Sequence, residues 1–357
     1  PRHAHRQEAK EGEEEEVKIA LITTTINIPH VLKLYRACST DVAFFVTGDM
    51  KTDSIPFKQF CREIPNCFAY DAVDQNTSMN WACHERIGWN TIGRRNIALL
   101  EALKWGADII VTIDDDNIPM NLDYFDDFEK VLQAPFSGCQ VEPAVWFNVG
   151  ALCVPNFVQR GFPVEQLSNC YAVKHVVNAK IGVASGVALL DPDIGAVERI
   201  ANAPNIHGVY ELLRAGVAFR PQWKQWTVFN SQVTTFLREL APAMLMVPQW
   251  KRFDDIFASL ICQRVMRHRE LFVHHGQPFV AQQRNEHNLH DDLAAEAWGM
   301  RYVQAFAAWL DDLELPEVSI ASDVRMIYAR IQELAWMPAG VSDIGTTWVS
   351  DCEQVLS

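Results

Sequence analysis

The stretch from Trp89 to Asn117, WNTIGRRNIALLEALKWGADIIVTIDDDN, constrains the fold more than any other part of the chain. Asn90 or Thr91 can act as the N-cap of a helix. The apolar side of this helix carries three residues: Ile97, Leu100 and Leu103. Gly106 can end the helix, because glycine adopts the left-handed backbone of a C-cap without strain. Residues 107–113 are then apolar and rich in β-branched side chains, which predicts a buried strand.

Segments typical of strands and helices also alternate outside this stretch. VKIALITTTIN (17–27) predicts a buried first strand, residues 29–38 a helix, and DVAFFVTGD (41–49) a second strand. The order strand, helix, strand is typical of a parallel α/β sheet. IGVASGVALLDPD (181–193) predicts a further strand. We therefore expect an α/β fold with a mixed, mainly parallel sheet flanked by helices.

The two ends of the chain differ from this central part. Residues 1–16 include EAKEGEEEE and have no apolar period, which predicts a disordered acidic arm. FDDIFASLICQRVMRHREL (253–271) predicts an amphipathic helix with acids in its first turn, and the pattern is helical from about Asp291 onwards. We therefore expect an α/β domain over residues 17–290 and a helical C-terminal extension, residues 291–357, packed on it.

The charge of the chain restricts its partners. A formal net charge of -14 argues against nucleic acid or an anionic membrane surface as the main partner, because both would repel an acidic protein. No stretch reaches the roughly 18 uninterrupted apolar residues of a membrane span, so no membrane segment is expected in this chain. The nine cysteines form no C-x-x-C pair, which favours reduced thiols over a zinc knuckle or a disulfide framework.

Three consecutive aspartates, Asp114, Asp115 and Asp116, follow the predicted strand 107–113 directly. Open α/β sheets bind their ligands at the carboxyl ends of their strands. Carboxylates this close raise one another's pKa unless a cation balances them, so the triplet predicts a Mn²⁺ or Mg²⁺ ion shared with the phosphates of a nucleotide. A solvated acidic turn is the alternative. An aspartate-dependent phosphatase matches less well, because its Asp-x-Asp pair lies on the first strand.

Arg94 and Arg95 lie in the first turns of the helix that precedes the aspartates. Cations at a helix N-terminus oppose the helix dipole, at a cost of roughly several tenths of a kcal/mol. An anionic ligand would reverse the sign of this effect, so both arginines are candidates for contacts with a phosphate. The alternative is that their aliphatic stems pack on the sheet at the surface.

Five blocks of the sequence carry a resemblance to a known family. GRRNIALLEALKWGADIIVTIDDDN (93–117) resembles the corresponding region of the STELLO-type glycosyltransferases. The resemblance continues in the same order through DPDIGAVERI (191–200), FNSQVTTF (229–236), RFDDIFASLICQRV (252–265) and QRNEHNLHDDL (283–293). A more distant similarity to the reversibly glycosylated polypeptides, the plant UDP-arabinopyranose mutases, includes the triplet and FVQRGFP (157–163). Most of residues 17–316 are covered.

This resemblance implies a GT-A fold over residues 17–290, in which a Rossmann-like nucleotide-binding half and an acceptor-binding half share one sheet. It also implies a Mn²⁺ or Mg²⁺ ion between the aspartates and the diphosphate of a nucleotide sugar. By this pattern Asp114 or Asp115 contacts the ribose or metal-bound water, while Asp116, with Asp114, binds the metal. The residues expected near the uracil and ribose stand at the ends of the first two strands: Thr23, Thr24, Thr25 and Asp49.

For the chemistry, an inverting transferase needs a carboxylate that takes the proton of the acceptor hydroxyl. Asp254 and Asp255 occupy the place of the family's acidic pair at the start of a helix. Asp255 is the first candidate for this base and Asp254 the second. Acids in a first helical turn also stabilise the helix without any catalytic role, which is the alternative.

Two polar clusters complete the expected site. Asn230, Ser231 and Gln232 are suited to hydrogen bonds with sugar hydroxyls. Arg284 and Asn285 are candidates for contacts with the nucleotide. His287, or one of His274 and His275, is the candidate for a third metal ligand or a diphosphate contact. A separate zinc site at His287 and His290 is not expected, because further ligands are not identifiable.

The expected function is transfer of a sugar from a UDP-sugar to a hydroxyl acceptor such as a glycan, with inversion. The first alternative is a UDP-sugar mutase, but mutases carry an arginine about seven residues before the one that matches Arg160, where this chain has Cys153. The second is a non-catalytic partner that binds sugar nucleotides within a glycan-assembly complex. The mutase relatives are cytosolic and the STELLO-type proteins are Golgi-anchored, so both the cytoplasm and, if an N-terminal anchor was removed, the Golgi lumen stay open.

Overall fold

The computed structural model describes residues 17–168, 170–192, 194–284 and 288–356. Within them the strands are β1 (Ile19–Thr25), β2 (Ala43–Gly48), β3 (Cys67–Tyr70), β4 (Ile109–Ile113), β5 (Asn117–Pro119), β6 (Phe136–Pro143), β7 (Cys153–Val154), β8 (Tyr171–Leu190), β9 (Gly208–Val209), β10 (Val217–Phe219), β11 (Val233–Leu237) and β12 (Leu271–Gln282). The helices are α1 (Leu32–Cys38), α2 (Ser54–Arg62), α3 (Ala72–Thr77), α4 (His84–Ile87), α5 (Arg95–Trp105), α6 (Tyr124–Gln133), α7 (Ala196–Asn202), α8 (Glu211–Arg214), α9 (Asp254–Met266), α10 (Leu289–Asp312), α11 (Ile320–Arg330) and α12 (Val341–Leu356).

Ten of these strands form one mixed sheet in the order β3-β2-β1-β4-β11-β8-β6-β10-β12-β5. The first four, β3, β2, β1 and β4, are parallel to one another. β11 runs antiparallel to both β4 and β8 and so joins this parallel group to the rest of the sheet. β8 also pairs with β6 and, in parallel, with β12. The predicted α/β class, with a mixed sheet flanked by helices, is confirmed, and the amino-terminal strands pair with one another only in parallel.

Both faces of the sheet are covered, which explains why the strands are apolar at successive positions rather than at alternate ones. In β1, Ala20 and Ile22 lie in the core that includes α5, α9 and the C-terminal helices. Ile19 and Leu21 lie in the core on the opposite face, which includes side chains of α1, α2 and α6. The carboxyl ends of the parallel strands are therefore held between two packed helical layers.

The ends of α5 agree with the caps expected from the sequence. Gly106 follows the helix with φ 94°, the left-handed backbone that a C-cap glycine provides. Thr91 is the capping residue at the other end, but it caps a short 3-10 turn, Ile92–Arg94, and its hydroxyl accepts the Gly93 N–H at 3.2 Å. This turn places Arg94 and Arg95 differently from two residues in a regular first helical turn.

Two predicted segments differ from the structure. The strand predicted over 181–193 is the carboxyl half of the longer β8. The helix predicted over 253–271 ends at Met266, and Leu271 already belongs to β12. This helix, α9, is buried along its whole length instead of on one side, because the C-terminal helices cover the face that an amphipathic helix would expose. Phe257 of α9, for example, packs on Phe306 of α10 with ring centroids 4.7 Å apart.

The C-terminal region is helical, as predicted. Its first helix, α10, begins at Leu289, two residues before the predicted start of the extension at Asp291. α12 packs on α5, and Asp351 of α12 accepts the backbone N–H groups of Ala82 and Cys83 at 3.1 and 2.8 Å. Of the helices in the described ranges, none is long and apolar enough to cross a membrane. The predicted acidic arm, residues 1–16, lies outside the described residues.

Candidate functional site

A cleft of about 1760 Å³, including the solvent at its mouth, lies at the carboxyl ends of β1, β2 and β4. One side of it is formed by residues that follow these strands. The other side is formed by the amino-terminal end of α9 and by the turn that precedes it. Its charged lining residues are Asp49, Lys51, Arg95, Asp114, Asp115, Asp116, Arg160, Lys251, Arg252, Asp254, Asp255 and Arg284. The aspartate triplet and the acidic pair, which are 138 residues apart when counted from Asp116 to Asp254, thus line the same cleft.

The three carboxylates of the triplet have three different partners. Asp114 accepts a hydrogen bond from Arg95 Nη2 at 2.6 Å and forms an ion pair with it. Asp115 accepts a short hydrogen bond from the hydroxyl of Thr25. Both oxygens of Asp116 lie near the amide nitrogen of Gln282, at 3.4 and 3.3 Å. Asp116 is therefore the member of the triplet with the weakest intramolecular contacts.

Burial and negative neighbours raise the pKa of two of these aspartates. For Asp116 the main cause is burial and the second is the charge of Asp114, and together they raise its pKa to about 7 in spite of the hydrogen bond from Gln282. Burial also raises the pKa of Asp115, against the effect of the Thr25 hydroxyl. A cation beside Asp116 would relieve both causes, since it would favour the ionised carboxylate.

Arg94 and Arg95 are both buried, but they do different things. Arg95 lines the cleft, and its Nη1 donates to the backbone carbonyl and the hydroxyl of Ser231, both at 2.9 Å. Arg94 points away from the cleft, where its guanidinium donates to Gln75 Oε1 and lies 4.1 Å from the Trp89 ring. The structure thus contradicts the expected ligand contact of Arg94, because its charge is used to join α5 to neighbouring segments.

Of the residues expected near the nucleoside, some line the cleft and one is buried in the protein. Thr24 and Thr25 line the cleft, whereas Thr23 is fully buried and donates to the Ile113 carbonyl at 2.9 Å. Asp49 also lines the cleft, but its carboxylate accepts the backbone N–H groups of Asn90 and Thr91 at 2.8 and 3.0 Å. Asp49 therefore fixes the loop before α5, and Thr23 is a structural residue instead of a ligand contact.

Asp255 is held by a buried ion pair. Arg160 donates to both of its carboxylate oxygens at 2.9 Å, and the Ser231 N–H donates to one of them at 3.1 Å. The next residue, Gly161, has φ 86°, and a Cβ there would lie 2.4 Å from Cγ2 of Ile256. Glycine at this position therefore allows the chain to approach α9 closely enough for Arg160 to reach Asp255.

Asp254 also lines the cleft, but its contacts differ from those of Asp255. It is buried, and one of its oxygens accepts the Asp255 N–H at 2.9 Å. Burial, followed by the charge of Asp255, raises the pKa of Asp254 to about 8, against the opposing effect of Arg160. Asp254 is therefore the acid with a raised pKa in the cleft, while the contacts of Asp255 hold Arg160 and Ser231 in place.

The polar cluster 230–232 does not lie in the cleft as a whole. Ser231 lines the cleft, whereas Asn230 and Gln232 line a smaller neighbouring cavity. The Gln232 amide donates a short hydrogen bond to Gln282, whose own amide donates to Asp116. Gln232 therefore acts on the cleft through Gln282. Neither Asn230 nor Gln232 lines the cleft, so neither is placed to contact a ligand there.

The last cluster is described only in part. Arg284 lines the cleft and lies 3.8 Å from the carboxylate of Asp292. Asn285 and His287, the second nucleotide contact and the third metal ligand expected there, lie outside the described residues. His274 and His275 do not line the cleft, since both are buried in β12, and burial lowers their pKa values to about 4 and about 3. The structure thus contradicts their expected role as metal ligands.

The lining residues that were missed as site residues in the sequence include Lys51, Arg160, Lys251, Arg252 and Gln282. Arg160 stood in the block FVQRGFP but was considered only for the comparison with mutases. Gln282 ends a strand and is followed closely by Arg284, which is the same signal that identified the triplet. Nothing in the local sequence distinguishes Lys251 or Arg252 from surface cations.

The arrangement fits a metal ion only if a ligand shares it. Among the described residues, no three His, Cys, Asp or Glu side chains are grouped so that they could hold a metal ion. Asp116 nevertheless forms no ion pair with any described residue, and it lies half-buried in the cleft with the negative charge of Asp114 nearby. Magnesium and manganese are often bound through one or two carboxylates, with substrate phosphates and water as the other ligands. The carboxylates of Asp116 and Asp114 fit that type of site.

No model of a known protein family matches this chain, and no curated protein is found to match it.

Proposed function

We propose that this protein is a metal-dependent glycosyltransferase with a GT-A fold, which transfers a sugar from a nucleotide sugar, a UDP-sugar in the first place, to a hydroxyl acceptor. The observation that carries this proposal is the shared cleft of the aspartate triplet and the acidic pair. The triplet provides carboxylates without enough cations, which suits a metal and a diphosphate. Asp254 provides an acid with a raised pKa, which suits a proton acceptor.

The nucleotide would lie on the β1 and β4 side of the cleft. Thr24 and Thr25 line this part, together with the apolar side chains of Ile26 and Ile92, which are 52% and 42% exposed. Exposed apolar groups beside hydroxyls suit a nucleoside, whose base is flat and apolar on its faces and whose ribose is polar. A Mn²⁺ or Mg²⁺ ion held by Asp116 and Asp114 would stabilise the negative charge of the departing diphosphate.

Asp254 is the proposed general base, in place of Asp255. In the proposed reaction its carboxylate takes the proton of the acceptor hydroxyl while the hydroxyl oxygen bonds to the anomeric carbon. The bond between that carbon and the diphosphate oxygen breaks in the same step, which inverts the anomeric configuration. A pKa near the working pH is favourable for such a base, because it combines ionisation with basicity. Asp255 has the role of orienting Arg160 and the Ser231 backbone.

The test is a screen of nucleotide sugars with Mn²⁺ or Mg²⁺, read by release of nucleoside diphosphate and by analysis of the sugar product. We expect turnover that requires metal and is lost in Asp116→Ala. Asp126→Asn is the matched control, since Asp126 is an exposed acid on α6 outside the cleft. Full activity in EDTA, full activity of Asp116→Ala, or the absence of turnover with every donor would refute the proposal. A furanose isomer of the donor as the sole product would favour the mutase.

A further inference from the structure

Lys251 has a backbone conformation that lysine rarely adopts. Its φ is 52° and its ψ is -126°, in the turn Pro248–Phe253 that leads into α9. A side chain is strained at this φ, whereas glycine adopts it freely. Strained residues of this kind persist where the surroundings impose them and are concentrated at functional sites. A lysine at a position that favours glycine therefore needs an explanation.

The neighbours of Lys251 impose its conformation. Trp250 is 1% exposed, and its indole nitrogen lies 3.2 Å from the sulfur of Met337. Phe253 is fully buried against α10, where a Cβ at Gly299 would lie 2.0 Å from the ring. The carbonyl of Lys251 accepts the N–H of Asp254. The turn is thus fixed on both sides, and it places the lysine at a set position relative to the acidic pair.

Lys251 differs from the arginines of the same cleft in whether its charge is paired within the protein. Arg95 pairs with Asp114 at 2.6 Å, and Arg160 pairs with Asp255 at 2.9 Å. Arg252, the next residue, lies 2.8 Å from Glu296. Lys251 lines the cleft and is exposed, and it forms no ion pair with any residue of the described ranges. Its ammonium group is therefore available to an anion that enters the cleft.

Lys224 is another exposed lysine with a positive φ, and it serves as a comparison. Its φ is 60°. Its ammonium group lies 4.0 Å from the centre of the Trp223 ring. The backbone N–H of Lys224 donates to the carboxylate of Asp311 at 3.1 Å. Contacts within the protein explain Lys224, which does not line the cleft. No such contact of the ammonium group explains Lys251 within the described residues.

We propose that the ammonium group of Lys251 binds a phosphoryl oxygen of the nucleoside diphosphate in the cleft. This inference rests on the proposed function and adds a phosphate-contacting residue to it. An ammonium group is a compact charge that suits a phosphate oxygen. Since the diphosphate gains negative charge as the bond to the sugar breaks, a fixed cation at this point favours its departure.

The test separates binding from folding by replacing Lys251 with glycine. Lys251→Gly removes the charge and also relieves the backbone strain. We expect its Tm to be at or above that of the wild type, while its Kd for UDP and for inorganic pyrophosphate rises at least about tenfold, as for the loss of a charged hydrogen bond. Lys251→Arg should retain most of the affinity. Lys224→Gly is the matched control and should bind both ligands like the wild type. Calorimetric titration and thermal unfolding measure these quantities.

The outcomes distinguish the two proposals. The role of Lys251 is overturned if Lys251→Gly binds pyrophosphate as tightly as the wild type does. It is also overturned if Lys251→Gly and Lys224→Gly both bind pyrophosphate more weakly and both lose Tm to the same extent. Binding of pyrophosphate that depends on Lys251, without turnover of any nucleotide sugar, supports this role and refutes the glycosyltransferase alone. A wild-type protein that binds neither UDP nor pyrophosphate refutes both.

Discussion

Arg160 and Asp255 form a two-point ion pair, in which two guanidinium nitrogens lie 2.9 Å from the two carboxylate oxygens. Their side chains are only 6% and 8% exposed. The pair joins the segment before Gly161 to the first turn of α9, and the Ser231 N–H adds the start of β11. Asp255 thereby positions three segments around the cleft, next to Asp254.

Removal of one partner should be worse than removal of both. Arg160→Met leaves the Asp255 carboxylate buried without its cation, for which we expect a loss of about 3–5 kcal/mol in the free energy of unfolding. The double variant Arg160→Met/Asp255→Leu should lose less than Arg160→Met alone. Urea unfolding measures both values. Arg330→Met serves as control, since Arg330 forms an exposed pair with Glu333, and should leave the free energy of unfolding almost unchanged. A double variant less stable than Arg160→Met would contradict the expectation.

The two acids at the start of α9 should differ in kinetics. Because Asp254 is the proposed base, Asp254→Asn should lower kcat by roughly 10²–10⁴-fold with little change in the KM for the donor. In the wild type, kcat should increase with pH as Asp254 ionises, with half of the increase reached near pH 8, and this increase should be absent in the variant. Steady-state kinetics from pH 6 to pH 9 provides the comparison. A normal pH profile in Asp254→Asn would return the role of base to Asp255 or to another group.

Asp116 should make folding depend on pH when no metal is present. Burial and Asp114 raise its pKa to about 7, so the folded chain holds this proton more tightly than the unfolded chain. Its contribution to the free energy of unfolding is thus fully present below about pH 4 and is lost as the pH rises through about 7. The stability of the wild type minus that of Asp116→Asn should fall across this range. Urea unfolding in EDTA measures this difference, and a constant difference would rule out the raised pKa.

Gln232 should affect the metal without touching it. Its amide donates to Gln282, which donates to Asp116. Gln232→Leu leaves Gln282 free to rotate, so we expect the metal concentration for half-maximal nucleotide binding to rise by about 10–100-fold. Titration of UDP affinity against Mn²⁺ measures it. Gln166→Leu is the control, since Gln166 bonds to Gln304 outside the cleft. Equal metal dependence in the two variants would show that the chain of amides is not needed.

Local sequence patterns were sufficient for the central elements of the fold. The cap at Thr91, the C-cap at Gly106 and the apolar run before Asp114 depend on residues close in sequence, and all three agree with the structure. The extent of α9 did not follow from its own sequence. Its outer face is covered by helices that come more than 20 residues later, so its burial is a tertiary effect.

The roles within the site depended on contacts that local sequence does not contain. Arg94 and Arg95 are adjacent, yet Arg94 ends a 3-10 turn and Arg95 begins α5, and only Arg95 lines the cleft. The choice between Asp254 and Asp255 depends on Arg160, which lies 95 residues from Asp255 in the chain. The sequence therefore identified where the charged groups gather, and the packing determined which of them are already paired.

The length of β8 has a consequence for how a ligand enters. β8 is hydrogen-bonded to β6, β12 and β11. β11 in turn pairs with β4, the parallel strand that precedes the aspartate triplet. A swinging motion of one half of the sheet against the other would have to break these ladders. The floor of the cleft is therefore preformed, and adaptation to a ligand is left to the exposed side chains that line the cleft, such as those of Lys251, Ile26 and Ile92. A molecule whose shape does not match this preformed floor would therefore bind weakly, because the sheet cannot adjust to it without losing strand hydrogen bonds.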